Sequence, residues 1–196
     1  AGIKTFSSSP IVPAPTTDLQ AATKKYVDDN AGGGSGIAFI RAESSAFVPS
    51  TTSGAGIDTT ETATYDVNRD WLRFDAASDQ YAEFPFTWPA DWTTAKATFY
   101  WTCGTGTGSV VWAAQIRVET DGDAIDLAYG TAVNVTDAAA SADTIRQTAA
   151  TGAITPGGTI GGGKEARLRI YRDADNGSDD MGDFAYLKSV LLEKES

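Results

Sequence analysis

Residues 97–119 read ATFYWTCGTGTGSVVWAAQIRVE, and the order of apolar and polar residues in this stretch decides the fold class. Ala97, Phe99, Trp101 and Cys103 alternate with Thr98, Tyr100 and Thr102. Beyond the glycines, Val110, Trp112, Ala114, Ile116 and Val118 alternate with Val111, Ala113, Gln115, Arg117 and Glu119. A period of two sends successive side chains to opposite faces of a strand, so each run predicts a strand with one buried and one solvated face. The intervening GTGTG lacks the Lys-Ser/Thr ending of a phosphate loop and reads as a turn.

The same pattern extends outward. Ala166, Leu168 and Ile170 alternate with Arg167, Arg169 and Tyr171, and further strands are expected at 71–74, 81–86, 125–129, 144–148 and 186–192. TDGD, TPGG, GGGK and DADNGSDD supply turn chemistry between them. Six to nine short antiparallel strands predict a mainly β protein, an antiparallel β-sandwich of jelly-roll-like type spanning 38–196. Residues 41–65 are polar and weakly patterned, fitting an edge strand and a loop. No internal repeat points to a β-helix or propeller.

Ahead of the sandwich the composition changes. Residues 1–16 carry Pro10, Pro13 and Pro15 among Ser and Thr, which predicts an extended arm. Thr17 is suited to cap a helix over 17–30, with Gln20 three positions on completing a capping box and Asp18 in the first turn. Leu19, Ala22, Tyr26 and Val27 form an apolar stripe on about three turns. So short a helix is marginal alone, so it is expected to oligomerise. The glycine-rich stretch 31–37 then acts as a linker.

Composition excludes several classes. The formal net charge of −11 repels a phosphate backbone, so nucleic acid is not an expected partner. Histidine is absent, which removes the usual general base and zinc ligand. The single cysteine, Cys103, lies in an apolar register and is expected to be a small buried hydrophobe. No stretch approaches the roughly 20 apolar residues of a membrane span. The first residues, AGIKTF, show no signal-peptide pattern, so assembly in a cytoplasm is expected.

The segment PAPTTDLQAATKKYVDDNAGG resembles one recurrent in bacteriophage tail fibres, through Thr17, Asp18, Ala22, Thr23, Lys24, Tyr26, Val27 and Asp28. It covers about a tenth of the chain. The resemblance implies a receptor-binding fibre protein in a virion. It implies a homotrimer whose helices pack through Leu19, Ala22, Thr23, Tyr26 and Val27, with the arm bound to other tail or baseplate proteins. RLRIYRDADNGSDDMGDFAYLKSVLLEK looks, less closely, like a terminal sandwich domain of such fibres.

Candidate sites follow from residue type. Trp88 and Trp92, in TWPADW, and Tyr100 and Tyr171, on polar registers, are candidates for stacking on a host glycan, with packing as the competing role. Asp173, Asp175 and Asp179 could hold a structural calcium, although the loop departs from an EF-hand and Asx turns are the favoured account of such a cluster. Asp79, Glu83, Asp91, Asp121 and Asp126 are available as paired carboxylates for glycoside cleavage, but no sugar-cradling repeat accompanies them. The expected function is attachment of a phage particle to a host surface glycan or protein, without catalysis and without a cofactor beyond possible calcium. A structural connector or head decoration is the alternative, and a polysaccharide depolymerase the least favoured.

Overall fold

The computed structural model describes residues 36–195. The arm, the helix with Leu19, Ala22, Thr23, Tyr26 and Val27, and most of the linker lie outside the described residues. What is described is an antiparallel β-sandwich of eleven strands.

Sheet A contains β1 (Phe39–Glu43), β3 (Gly56–Glu61), β4 (Asn68–Phe74), β6 (Ala95–Cys103), β9 (Arg146–Gln147) and β11 (Ala185–Lys194). Its order is β3-β4-β11-β6-β9, and β1 follows β4 along the same edge of β11. Sheet B contains β2 (Val48–Pro49), β5 (Gln80–Thr87), β7 (Ser109–Glu119), β8 (Val133–Ala138) and β10 (Glu165–Arg172), in the order β2-β5-β10-β7-β8. A 3-10 turn at Ser44–Ala46 joins β1 to β2. Phe39 pairs with Glu193 and Glu43 with Ser189, so the first strand runs alongside the last.

The core is what the alternation predicts. Ala97, Phe99, Trp101 and Cys103 of β6 face Val110, Trp112, Ala114, Ile116 and Val118 of β7 and Ala166, Leu168 and Ile170 of β10, all buried. Trp112 is its aromatic centre: Phe99 stacks on it at 5.3 Å and the Phe74 ring meets it edge-on at 5.1 Å. Buried aromatics of this size contribute most of the apolar area that holds two sheets together.

Several local expectations are corrected. Residues 125–129 are not a strand; they belong to a loop whose Arg117 and Gln115 contacts hold it against β7. β8, unforeseen, closes that edge of sheet B. The strand expected at 144–148 shrinks to the two residues of β9. Along β11 the register slips between Leu187 and Ser189, leaving Lys188 as an extra residue. Such a bulge bends the strand and re-aims the side chain it releases.

Candidate functional site

The outer faces of the two sheets differ. On sheet B, Tyr81 and Tyr171 oppose each other across β5 and β10 with ring centroids 5.0 Å apart. The loop carrying Tyr129 lies over the neighbouring rows. Its phenol donates to Glu83 at 2.7 Å, and the Arg169 guanidinium sits 4.1 Å from its ring. Arg169 also donates twice to the Gln115 side-chain oxygen. Burial, and then the hydrogen bond to Glu83, push the Tyr129 phenol well above its ordinary value, so it stays a neutral donor. On this face Tyr129 and Glu83 are thus hydrogen-bonded to each other, as are Arg169 and Gln115.

Sheet A is open by contrast. On β4, Leu72 and Phe74 point into the core, so Trp71 falls on the outer register, opposite Asp58 of β3. Next to it on β11 the bulge releases Lys188. Trp71 and Lys188 line a cavity of about 430 Å³, walled also by Glu43, Asn68 and Asp143, with Val67 and Ile145 as exposed apolar rims. A smaller hollow of about 160 Å³ shares Arg69, Trp71 and Asp143 and continues to Thr102 and Tyr186 of the same sheet face. Together they place an indole and polar groups of both charges along one sheet surface. The larger volume falls within the roughly 300–1,000 Å³ usual for ligand pockets.

Local structure fixes this cavity. Ser44 donates its hydroxyl to the Asp70 carbonyl at 2.5 Å, tying the 3-10 turn to β4. Asp143 reaches across from the loop between β8 and β9 to Arg69 at 3.5 Å. Its backbone N–H donates to the Cys103 carbonyl at 2.9 Å, and its φ of 56° is left-handed, a region Asp tolerates better than most residues.

The sequence-expected site residues are not brought together. Trp88 and Trp92 are fully enclosed, edge to face at 5.9 Å, and this corrects their reading as glycan contacts. Both indoles reach a carbonyl: Trp88 Nε1 donates to Trp92 at 2.9 Å and Trp92 Nε1 to Ile37 at 2.7 Å. With one indole N–H satisfied inside the Pro-containing loop and the other by the segment just before β1, the loop folds inward rather than out. Tyr100 is on the outer face of sheet A under the Arg41 guanidinium, 4.5 Å from the ring, whereas Tyr171 is on sheet B. Trp71, which the sequence offered only as part of a strand, is the aromatic residue that lines the cavity.

The acidic loop is also regrouped. Asp179 is consumed by a buried ion pair with Arg172, which corrects its place in a calcium set. Its position is taken by Asp79, whose carboxylate lies within 4.8 Å of those of Asp173 and Asp175. Burial, followed by repulsion from Asp175 and Asp173, raises the Asp79 carboxyl above its ordinary value. Oxygen atoms at this spacing are the donor type a hard cation takes. Hydrogen bonds from the Ala174 amide to Asp79 and from Asn134 and Asn176 to Asp173 already occupy part of that capacity. Elsewhere Asp91 pairs with Lys194 at 3.0 Å, and Asp123 accepts from the Thr120 amide as a turn residue.

With the geometry in place, comparison with known proteins bears on the architecture. No protein-family model matches the chain, and no curated protein matches it in sequence. Among solved structures, the chain is similar to carbohydrate-binding modules. One is the CBM36-1 domain of a multidomain xylanase from the hindgut metagenome of Trinervitermes trinervoides, at 7% identity and a TM-score of 0.41, covering 81% of this chain and 98% of that one. Another is the CBM22-2 xylan-binding domain from Paenibacillus barcinonensis, at 12% identity and a TM-score of 0.46, covering 80% and 99%. A third is a family 35 carbohydrate-binding module from Clostridium thermocellum, at 9% identity and a TM-score of 0.43, covering 81% and 100%. The likeness concerns the β-sandwich. The function expected from the sequence, a virion fibre attaching a phage to its host, is corrected: the solved structures this chain is similar to are carbohydrate-binding modules.

Proposed function

We propose that the sandwich is a non-catalytic glycan-binding module and that the Trp71 cavity on sheet A is its binding site. The observation that carries this reading is the position of Trp71: a tryptophan on the solvent-side register of a sheet, bounding a cavity of about 430 Å³, with Asn68, Glu43 and Lys188 around it. An indole presents an apolar face that matches the C–H face of a pyranose, and polar side chains at its edge match the ring hydroxyls. A core tryptophan would face the other sheet, as Trp101 and Trp112 do. The repeated crossing of the chain between sheets from β4 to β7 supports describing the sandwich as a jelly roll.

Affinity electrophoresis of the full chain in gels containing xylan, mannan or mixed-linkage glucan tests the proposal. Retardation by at least one polysaccharide is expected. Trp71→Ala should weaken it by about tenfold or more, equivalent to about 1.4 kcal/mol of stacking. Tyr171→Ala, on the other face, should leave it unchanged. Migration unaffected by every polysaccharide, or a Trp71→Ala protein that binds like the native one, overturns the reading.

Assembly through residues 17–30 is part of the same proposal; it rests on the apolar stripe of Leu19, Ala22, Tyr26 and Val27, and the trimeric number on the resemblance of that segment to fibre helices. Three linked modules would bind a polymer with avidity well above that of one site. Light scattering is expected to give a trimer mass that falls in Leu19→Asp/Tyr26→Asp. A monomer in the native chain removes this part.

A further inference from the structure

Trp71 lines the cavity, yet it is only 7% exposed. Its cover includes Arg69, two residues earlier on the same face of β4, whose guanidinium lies 6.0 Å from the indole ring. At that distance a cation is attracted to the ring face, though weakly where water is near. The guanidinium is also held by Asp143, which meets it at 3.5 Å. Asp143 itself is 74% exposed in its side chain, comes from a different loop, and sits in a left-handed backbone conformation. Strained backbone held in place by its surroundings tends to be found at ligand clamps and switches. Arg69, Trp71 and Asp143 are common to both hollows, so the ion pair stands at their shared boundary.

We infer that Arg69, held by Asp143, is a latch over the Trp71 indole that an incoming pyranose ring must displace, which makes Asp143 a specificity-determining residue of the groove. The inference rests on the glycan-binding reading above and adds its control. With the latch closed, the two hollows are separate and the ring is shielded. With the ion pair broken, the indole face is bared and one continuous trough accepts linked sugars on either side of Trp71. An exposed pair of this kind is weak, so a sugar chain can open it at modest cost. Breaking it beforehand should therefore improve binding rather than impair it.

Asp143→Asn tests this, because Asn keeps the shape and tolerates the left-handed backbone while losing the charge. The other four tryptophans are enclosed, so any gain in acrylamide quenching of intrinsic fluorescence reports on Trp71. Increased quenching is expected in Asp143→Asn and again in Arg69→Gln. Titration with xylohexaose, mannohexaose and cellohexaose should show about two- to fivefold tighter binding of Asp143→Asn to whichever oligosaccharide the native chain binds. Unchanged quenching in both variants overturns the latch, as does equal or weaker hexasaccharide binding by Asp143→Asn. If the native chain binds no oligosaccharide, the glycan reading falls, while the quenching comparison still decides whether Arg69 covers Trp71.

Discussion

Arg172 and Asp179 meet in a fully buried, two-pronged ion pair, Nε to Oδ2 at 2.9 Å and Nη2 to Oδ1 at 2.6 Å. The remaining guanidinium donors reach the carbonyls of Met181 and Asp183, and Asp179 also accepts the Val111 amide at 2.9 Å. Every charge-bearing edge is therefore paired, and the segment between β10 and β11 is pinned to the end of sheet B. Removing one partner strands the other in a site without water. Asp179→Ala is expected to cost about 3–5 kcal/mol of stability in urea unfolding. Replacing both residues by apolar ones of similar volume should cost much less, since no buried charge is left alone.

The buried tryptophans give a second expectation, opposite in kind to that for Trp71. Trp88→Ala opens a cavity between the sheets and should destabilise by about 3–5 kcal/mol. Any residual folded protein should bind polysaccharide with native affinity. Thermal melts and affinity gels on the same preparation separate the two effects.

Alkaline pH should weaken the fold through Tyr171. Burial first, and then the nearby Asp173, push its phenol from the ordinary 10.0 up to about 12. Below 10.0 the phenol is neutral in folded and unfolded chains alike, and the full stabilisation is present. Between 10.0 and about 12 only the unfolded chain has released this proton, so stability declines as pH rises through that window. The urea midpoint should fall across this range in the native chain and fall less in Tyr171→Phe. Phenolate absorbance should lose a component titrating near the upper end in Tyr171→Phe.

Gly108 sits where the turn before β7 meets the acidic loop. Its φ is +87°, and a Cβ there would lie 2.7 Å from the Met181 Cα. Gly108→Ala should cost at least about 1–3 kcal/mol from backbone strain alone, with the clash added. Circular dichroism melts check it. A melting temperature equal to the native one would mean that the Met181 segment moves aside freely.

How legible these features were in the sequence depended on which interactions set them. The strands β6, β7 and β10 are readable because their inner registers are unbroken rows of apolar residues. Even the β11 bulge leaves a trace, since Ala185 and Leu187 are two apart but the next buried apolar residue is Val190. β8 was obscured because Val133 and Val135 are only half-buried on an edge strand, and polar neighbours dilute the pattern. Trp71 was hidden for the opposite reason: Trp71 and Leu72 are adjacent, both enclosed, and nothing in their order says which one faces the core. Trp88 and Trp92 misled because a loop with proline suggests exposure, while the carbonyls that receive their indole N–H groups cannot be read from spacing. Asp79 joins Asp173 and Asp175 across a separation of some 95 residues, which pairing of β5 with β10 creates and local sequence does not.

The pairing of Phe39 with Glu193 has a consequence for how the module is carried. Both ends of the sandwich leave from one corner, whereas Glu43, at the other end of β1, already borders the Trp71 cavity. Four strand steps of about 3.3 Å put roughly 13 Å between tether and cavity rim. Because entry and exit share that corner, the sandwich can be joined to further polypeptide through either of its ends at the same distance from the cavity.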